Sequence, residues 1–270
     1  MKYGFIGAGN MGGAIMKGMT IGTGKYDPKS IFVTDKFFPA AENLSAATGI
    51  IPCETGAEVV KNVDVLVLAV KPHILATAIP EFYDMVAEKK PLVISIAAGK
   101  TLEYLGSLLP AGTPVVRVMP NINAKIGAAT CGICKNEYVT EEQLEIAKGI
   151  FGTIGTVIEV DENHFGIFTT LAGSAPAFAY MYMDALARAA VQAGMPKKQA
   201  LEIAAATVEG SAKMVLKSGE HPMELVDQVC SPGGTTIEGV LKLQEKGFEH
   251  ALKAAFDAVL EKDNFIAGKK

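Results

Sequence analysis

Two glycine-rich stretches, one near each end of the chain, carry the residue types that hold anionic ligands. The first is Gly7-Ala8-Gly9-Asn10-Met11-Gly12. It follows the short apolar run Tyr3-Gly4-Phe5-Ile6 and opens a helical pattern in which Met11, Ala14, Ile15, Gly18 and Met19 share one face. A strand, a G-x-G-x-x-G turn and a helix in that order form the setting in which this spacing binds a dinucleotide. Gly7 allows the tight turn, Gly9 lets backbone approach a pyrophosphate, and Gly12 lets helix and strand pack closely. The free N–H groups at the helix start then face the negative charge. Taken alone, the same glycines also describe a turn with no ligand. The second stretch is Ser231-Pro232-Gly233-Gly234-Thr235-Thr236, set between a helical segment ending near Val229 and another running from Ile237. Its hydroxyls and helix-start N–H groups suit a small carboxylate. N-capping by Thr235 or Thr236, completed by Glu238, is the plainer use of the same residues.

Between these stretches lie the tips of further strands. A ribose contact is expected about 20 residues past the pyrophosphate loop, where Thr34-Asp35-Lys36 stand. Asp35 favours a free 2′-hydroxyl and Lys36 a 2′-phosphate, so the two argue in opposite directions about NADH and NADPH. The next tips read Ala69-Val70-Lys71-Pro72-His73, Ala97-Ala98-Gly99 and Met119-Pro120-Asn121. Each alone would serve as a strand-ending turn, but together they predict a cleft open to a nicotinamide ring. His164 and His221 read as surface or capping residues and His250 as solvated. His73, beside Lys71-Pro72, is the one histidine near the coenzyme side.

The elements that must position these residues change in kind partway along the 270-residue chain. Over the first 160 residues, apolar strands at 31–34, 50–51, 63–70, 92–96 and 115–119 alternate with helical segments, one of them at 40–48. That alternation predicts a doubly wound, mostly parallel sheet. A last βαβ-like passage occupies 127–134, 141–151 and 156–160. Beyond Asp161, strand patterns vanish and helical ones take over at 174–194, 196–218, 234–246 and 248–264. The fold class is therefore α/β, with a Rossmann-type dinucleotide-binding domain over 1–161 and an all-helical domain over 162–270. The helical half is rich in Ala and Met and too small to build an adequate core alone, which predicts an apolar face buried against a second subunit. A self-contained bundle is the alternative.

Composition narrows the function classes. The net charge is −4 and no run of Lys or Arg occurs, which argues against nucleic acid. No apolar run approaches the ~20 residues of a membrane span, and with the first strand starting at Tyr3 a leader peptide is not expected. Of Cys53, Cys131, Cys134 and Cys230, the C-x-x-C pair lies in an extended run, where residues three apart face opposite ways. No metal site is expected, and a reduced, cytoplasmic enzyme is.

The motifs run in an order that resembles the pyrroline-5-carboxylate reductase family. The matching residues are Gly7-Ala8-Gly9-Asn10-Met11-Gly12, Ala69-Val70-Lys71-Pro72, Ala97-Ala98-Gly99, Met119-Pro120-Asn121, Gly173-Ser174 with Pro176-Ala177, and Ser231-Pro232-Gly233-Gly234-Thr235-Thr236-Ile237. The resemblance implies reduction of 1-pyrroline-5-carboxylate to L-proline, the final step of proline biosynthesis. It further implies NADPH as coenzyme with NADH as an alternative, a helical dimerisation domain, and in many members a decamer of five dimers. It places the substrate carboxylate on Ser231, Gly233, Gly234 and Thr235, and the ring nitrogen beside Thr236, the candidate catalytic residue. The chain departs from the family pattern at Asp35, where an acid is unusual, at Gly56, where Asn is common, at Ala175 for Gly, and at Ile122-Asn123 for Thr-Pro.

Direct hydride transfer to a protonated imine needs no strong general acid, so Thr236 serves by donating a hydrogen bond or relaying a proton. Two other readings compete. β-Hydroxyacid dehydrogenases resemble this layout but carry a Lys on the helix after the Gly-Ser turn, and residues 174–194 contain none. A non-enzymatic nucleotide sensor has no need of the Ser231–Thr236 cradle. Other cyclic imino acids remain open as substrates.

Overall fold

The computed structural model describes residues 1–266. The chain divides into two compact units, Met1–Gly173 joined by residues 260–266, and Ser174–Val259. The first unit holds one sheet built from β1 (Tyr3–Ile6), β2 (Ile31–Thr34), β3 (Ile51–Pro52), β4 (Val65–Leu68), β5 (Leu92–Ser95), β6 (Val115–Met119), β7 (Ala129–Lys135) and β8 (Gly155–Glu159). Their order is β3-β2-β1-β4-β5-β6-β7-β8, so the direction of winding reverses between β1 and β4. Every ladder is parallel except β6 with β7. The reason is chain length. Only residues 120–128 join β6 to β7, fewer than the dozen or more that a parallel crossover needs.

Helices α1 (Asn10–Lys17), α2 (Phe38–Thr48), α3 (Gly56–Asn62), α4 (Leu75–Ala78), α5 (Tyr83–Lys89), α6 (Leu102–Leu108) and α7 (Glu141–Phe151) fill the crossovers. The central strands β1, β4 and β5 read as near-continuous apolar runs because both faces are covered. Val65 and Val67 of β4 enter one core with Ile15, Met16, Leu44 and Ile150, while Leu66 and Leu68 enter the other with Val59, Ile79 and Leu105. The αL residue Gly49 stops α2, its N–H bonding the Ser45 carbonyl, and a Thr140/Gln143 capping box starts α7. The predicted strands all form. Sequence periodicity is silent on α3 to α6 because none exceeds seven residues, about two turns.

Residues 162–174 pass through a 3₁₀ turn, α8 (Phe165–Phe168) and a π-helical turn (Thr169–Ser174). The second unit then follows as α9 (Ala175–Gln192), α10 (Lys197–Ser218), α11 (Pro222–Val229), α12 (Thr235–Glu245) and α13 (Phe248–Ile266), the last ending in the first unit. His221 caps α11, its Nδ1 accepting from the Met223 N–H while Glu224 accepts from the His221 N–H. Within Ser174–Val259, the buried apolar residues are Ala187, Ala200 and Ala204, whereas Met181, Met214 and Leu216 stand 71%, 55% and 83% exposed. Three alanine methyls make no core for a unit of this size. No helix among the described residues is long and apolar enough to cross a membrane.

Candidate active site

Parallel strands bring the tips of β1, β2, β4, β5 and β6 to one edge of the sheet, and the winding reverses between β1 and β4. Ligands of doubly wound sheets lie in the crevice at such a switch point. The glycine loop occupies that edge, and its three glycines differ in surroundings. Gly7 has φ +112°, and its N–H bonds the Thr34 carbonyl at 2.8 Å. A Cβ at Gly12 would stand 2.5 Å from the Gly7 carbonyl oxygen, so α1 packs against the turn through backbone alone. Around Gly9, a Cβ would meet nothing within 4 Å. Gly9 also N-caps α1 without a side-chain hydrogen bond, and the first-turn N–H groups have no intrahelical acceptor. An open backbone face with free donors fits a pyrophosphate.

Asp35, just past β2, is tied to this loop. Its Oδ2 accepts from the Ala8 N–H at 2.7 Å and its Oδ1 from the Phe37 N–H at 2.9 Å. The acid thus shapes the loop whichever nucleotide it meets. Thr34 is buried and Lys36 is exposed. Gly56 starts α3, where a Cβ would lie 2.7 Å from the Phe82 ring. An Asn there would require Phe82 to move, so the ring accounts for the glycine.

On the other side of the switch point, the Ala69 N–H bonds the Ile6 carbonyl at 2.8 Å, and Val70, Lys71 and Pro72 lead outward with Lys71 exposed. At the β5 tip, Ala97 is buried, its N–H on the Ser95 hydroxyl, Ala98 is exposed, and Gly99 turns the chain at φ +70°. Asn121, at the β6 tip, is only 6% exposed and bonds three backbone groups. A groove of about 1050 Å³ starts at Ala8, Gly9 and Asn10 but runs toward Lys17, Asn43 and Lys125 and includes no residue of the β4 or β5 tips.

The second cradle lies within the helical unit. Ser231-Pro232-Gly233-Gly234 is a β-turn closed by the Gly234 N–H on the Ser231 carbonyl at 2.9 Å, with Gly233 at φ +67° as a Pro-Gly type II turn requires. Gly234 N-caps α12 without a side-chain bond, and Thr235 and Thr236 are the first two helical residues. Their hydroxyls are exposed and not spent on the cap, so the capping alternative is not the arrangement found.

Two groups at the β6 side carry no motif. Arg117 is 8% exposed within β6. Its Nη1 bonds Glu162 Oε1 at 2.9 Å, and its guanidinium lies 4.3 Å from the Phe165 ring centroid. The same carboxylate oxygen accepts from the Leu102 N–H at the start of α6. An arginine inside an apolar strand demands a buried partner, and that demand was the available signal. The four thiols are free. Burial pushes Cys53 up to about 11 and Cys131 up to about 12, so these two are held as inert thiols. Among the described residues, no group of three or more His, Cys, Asp or Glu is placed to hold a metal ion.

Comparison with known proteins agrees with both halves. Residues 162–265 match the pyrroline-5-carboxylate reductase dimerisation family, and residues 2–99 match the coenzyme F420-dependent NADP oxidoreductase family. The chain is 43% identical over 269 residues to a pyrroline-5-carboxylate reductase of Methanosarcina acetivorans, covering 100% of this chain and 98% of that protein. It is 41% identical to the Escherichia coli reductase, with 98% of each covered. Among solved structures, the reductase of Coxiella burnetii superposes with a TM-score of 0.93 at 32% identity, over 100% of this chain and 98% of that one. A Plasmodium falciparum pyrroline carboxylate reductase with NADP bound superposes at 0.87 with 26% identity, over 99% and 98%. With relatives this similar over its whole length, the chain belongs to the pyrroline-5-carboxylate reductase family.

Proposed function

We propose that this protein reduces 1-pyrroline-5-carboxylate to L-proline with NADPH, as the last step of proline biosynthesis, and that its two anion cradles divide the work. The observation that carries the reading is the pairing, in one family-typical chain, of an open pyrophosphate loop at Gly9 with a Ser231–Thr236 turn whose hydroxyls are uncommitted. The first-turn N–H groups of α1 hold the pyrophosphate. Asp35 and Lys36 face the adenosine ribose, and the tips at Ala69–Pro72, Ala97–Gly99 and Asn121 border the nicotinamide. Ser231, Gly233, Gly234 and Thr235 neutralise and orient the substrate carboxylate, and Thr236 hydrogen-bonds the ring nitrogen.

Bound NADPH supplies the hydride that adds to the imine carbon. The protein's own share is alignment and charge neutralisation, which together are worth several kcal/mol of barrier. The proton on the product nitrogen is present in the iminium or arrives through the Thr236 hydroxyl from water. No His or Lys is required for the chemistry.

The family boundary is placed near Asp161, where the dimerisation-family match begins at residue 162, although by contacts residues 162–173 pack with the first unit. The exposed apolar faces of α9 and α10 meet a second copy, making a homodimer, and five dimers form a decamer. Four free thiols fit a cytoplasmic home. Steady-state oxidation of NADPH by 1-pyrroline-5-carboxylate tests the reading. Turnover of β-hydroxyacids with NADP, and none of the imine, would replace it with the dehydrogenase alternative, for which α9 lacks the lysine.

A further inference from the structure

Segment 162–173 docks along β6 and β7, from the level of Arg117 to the β6 tip. Glu162 meets Arg117 within the strand, and the Phe168 ring lies where a Cβ of Gly132 would stand 2.7 Å away. Level with it, since Met119 pairs with Gly132 across the ladder, Met119 Cε faces Gly173 at 3.4 Å from the Cβ position. The last tie is at the edge itself, where Asn121 Nδ2 donates to the Ala172 carbonyl at 3.0 Å. Asn121 Oδ1 meanwhile accepts from the Asn123 and Thr130 N–H groups at 3.2 and 3.3 Å. A reversed amide would set NH₂ against two N–H donors and oxygen against a carbonyl, so the network admits one orientation. The tied segment is the π-helical turn Thr169–Ser174, a rare geometry that recurs at functional sites. It closes on the tip of β6, on the nicotinamide side of the switch point.

From this juxtaposition we infer that Asn121 is a positioning residue for the reaction: its amide fixes the Ala172–Gly173 backbone at the sheet edge and thereby sets the wall against which the nicotinamide ring aligns. The inference deepens the function proposed above and rests on it for its kinetic arm. It assigns the Asn121 side chain a role through the turn rather than as a ligand of the coenzyme. The other ties, Arg117–Glu162 and Phe168 on Gly132, hold the segment through its earlier residues, so loss of the amide frees the turn without undocking the segment.

The decisive variant is Asn121→Asp, with Asn121→Ala beside it. Asp keeps an acceptor for Asn123 and Thr130 but sets an oxygen against the Ala172 carbonyl. When ionised it repels that carbonyl, and when protonated it can donate to it. Expected for Asn121→Asp at pH 8.5 are NADPH binding within about threefold of wild type and a kcat for 1-pyrroline-5-carboxylate lower by on the order of 100-fold. Relative to wild type at the same pH, both the rate and amide-hydrogen protection over 169–174 should recover as pH falls through the variant's carboxyl titration. Wild-type kcat at every pH, or a loss of NADPH affinity matching the loss of rate, would overturn the inference. So would unchanged exchange over 169–174, a readout that needs no turnover and stands if Asn121→Ala fails to fold. Absence of imine reduction by wild type would instead count against the function, leaving the exchange arm to decide the pin.

Discussion

Gly9 and Gly12 sit three residues apart in one motif, yet the structure predicts opposite consequences for the same substitution. At Gly12, a methyl would lie 2.5 Å from the Gly7 carbonyl oxygen and 3.1 Å from Ala69 Cβ. Both neighbours belong to the backbone framework of the β1 and β4 tips and cannot swing aside. Overpacking of this kind costs about 1–3 kcal/mol, or a Tm lower by roughly 2–4 °C per kcal/mol, and it distorts the loop. At Gly9, φ is −68° and ψ −171°, a conformation alanine adopts freely, and nothing lies within 4 Å. Gly9→Ala should therefore keep or raise stability, by up to about 1 kcal/mol through the unfolded state. The methyl would instead occupy the space through which a pyrophosphate approaches. An equal overpacking cost, now confined to the complex, weakens NADPH by roughly 5- to 150-fold. Thermal unfolding with and without NADPH, together with nucleotide titration by fluorescence, separates the two effects. Wild-type NADPH affinity in Gly9→Ala would show that the open face of the loop is not where the coenzyme sits. An unchanged Tm in Gly12→Ala would refute the backbone packing.

Asp35→Ser removes the acid from the ribose side and should raise the NADPH/NADH ratio of kcat/KM; because Asp35 also bonds Ala8, both nucleotides should bind more weakly, and an unchanged ratio would remove Asp35 from the ribose contact. Thr236→Ala should lower kcat by roughly ten- to hundredfold while leaving Tm nearly unchanged, since the Thr236 hydroxyl does not cap α12; wild-type turnover would end its catalytic role. Met181→Lys, placed on the exposed face of α9, should dissociate the oligomer in light scattering, and an assembly of wild-type size would move the interface elsewhere. Cys53 and Cys131, whose thiols burial raises to about 11 and about 12, are thiolate to about one part in a thousand or less at pH 8. They should resist iodoacetamide until the chain unfolds; rapid native labelling of Cys131 would contradict its place inside β7.

Much of the first unit is legible in the sequence because its central strands are buried on both faces. A run such as 63–70 is apolar but for Asp64 near its start, and that near-continuity marks a central strand. The glycines of the loop are legible for a different reason, namely that each substitution there meets either backbone or empty space. The short crossover helices α3 to α6 escape because seven residues or fewer show too little of a 3.6-residue period. The reversal at β7 is set by the length of a connection, which periodicity does not record. Asp35 illustrates a subtler gap. Its position past β2 suggests a ribose ligand, but its bonds to Ala8 and Phe37 depend on where two loops meet.

The residues least visible in sequence are those that join distant segments through polar groups. Arg117 pairs with Glu162 and Asn121 with Ala172, partners 45 and 51 residues away, and no local spacing announces either. Both sit where apolar packing alone would leave the direction of the chain undetermined. A leucine in place of Arg117 would bury comparable surface, but it would not select one carboxylate nor tie the start of α6 to the same oxygen. Hydrogen bonds in a desolvated strand are costly to leave unmade, so each accepts a single arrangement of its partners. The path of residues 162–173 along β6 is thus fixed by the penalty on wrong geometries more than by attraction. For a reaction that needs no strong acid or base, that restriction of geometry is the protein's main contribution.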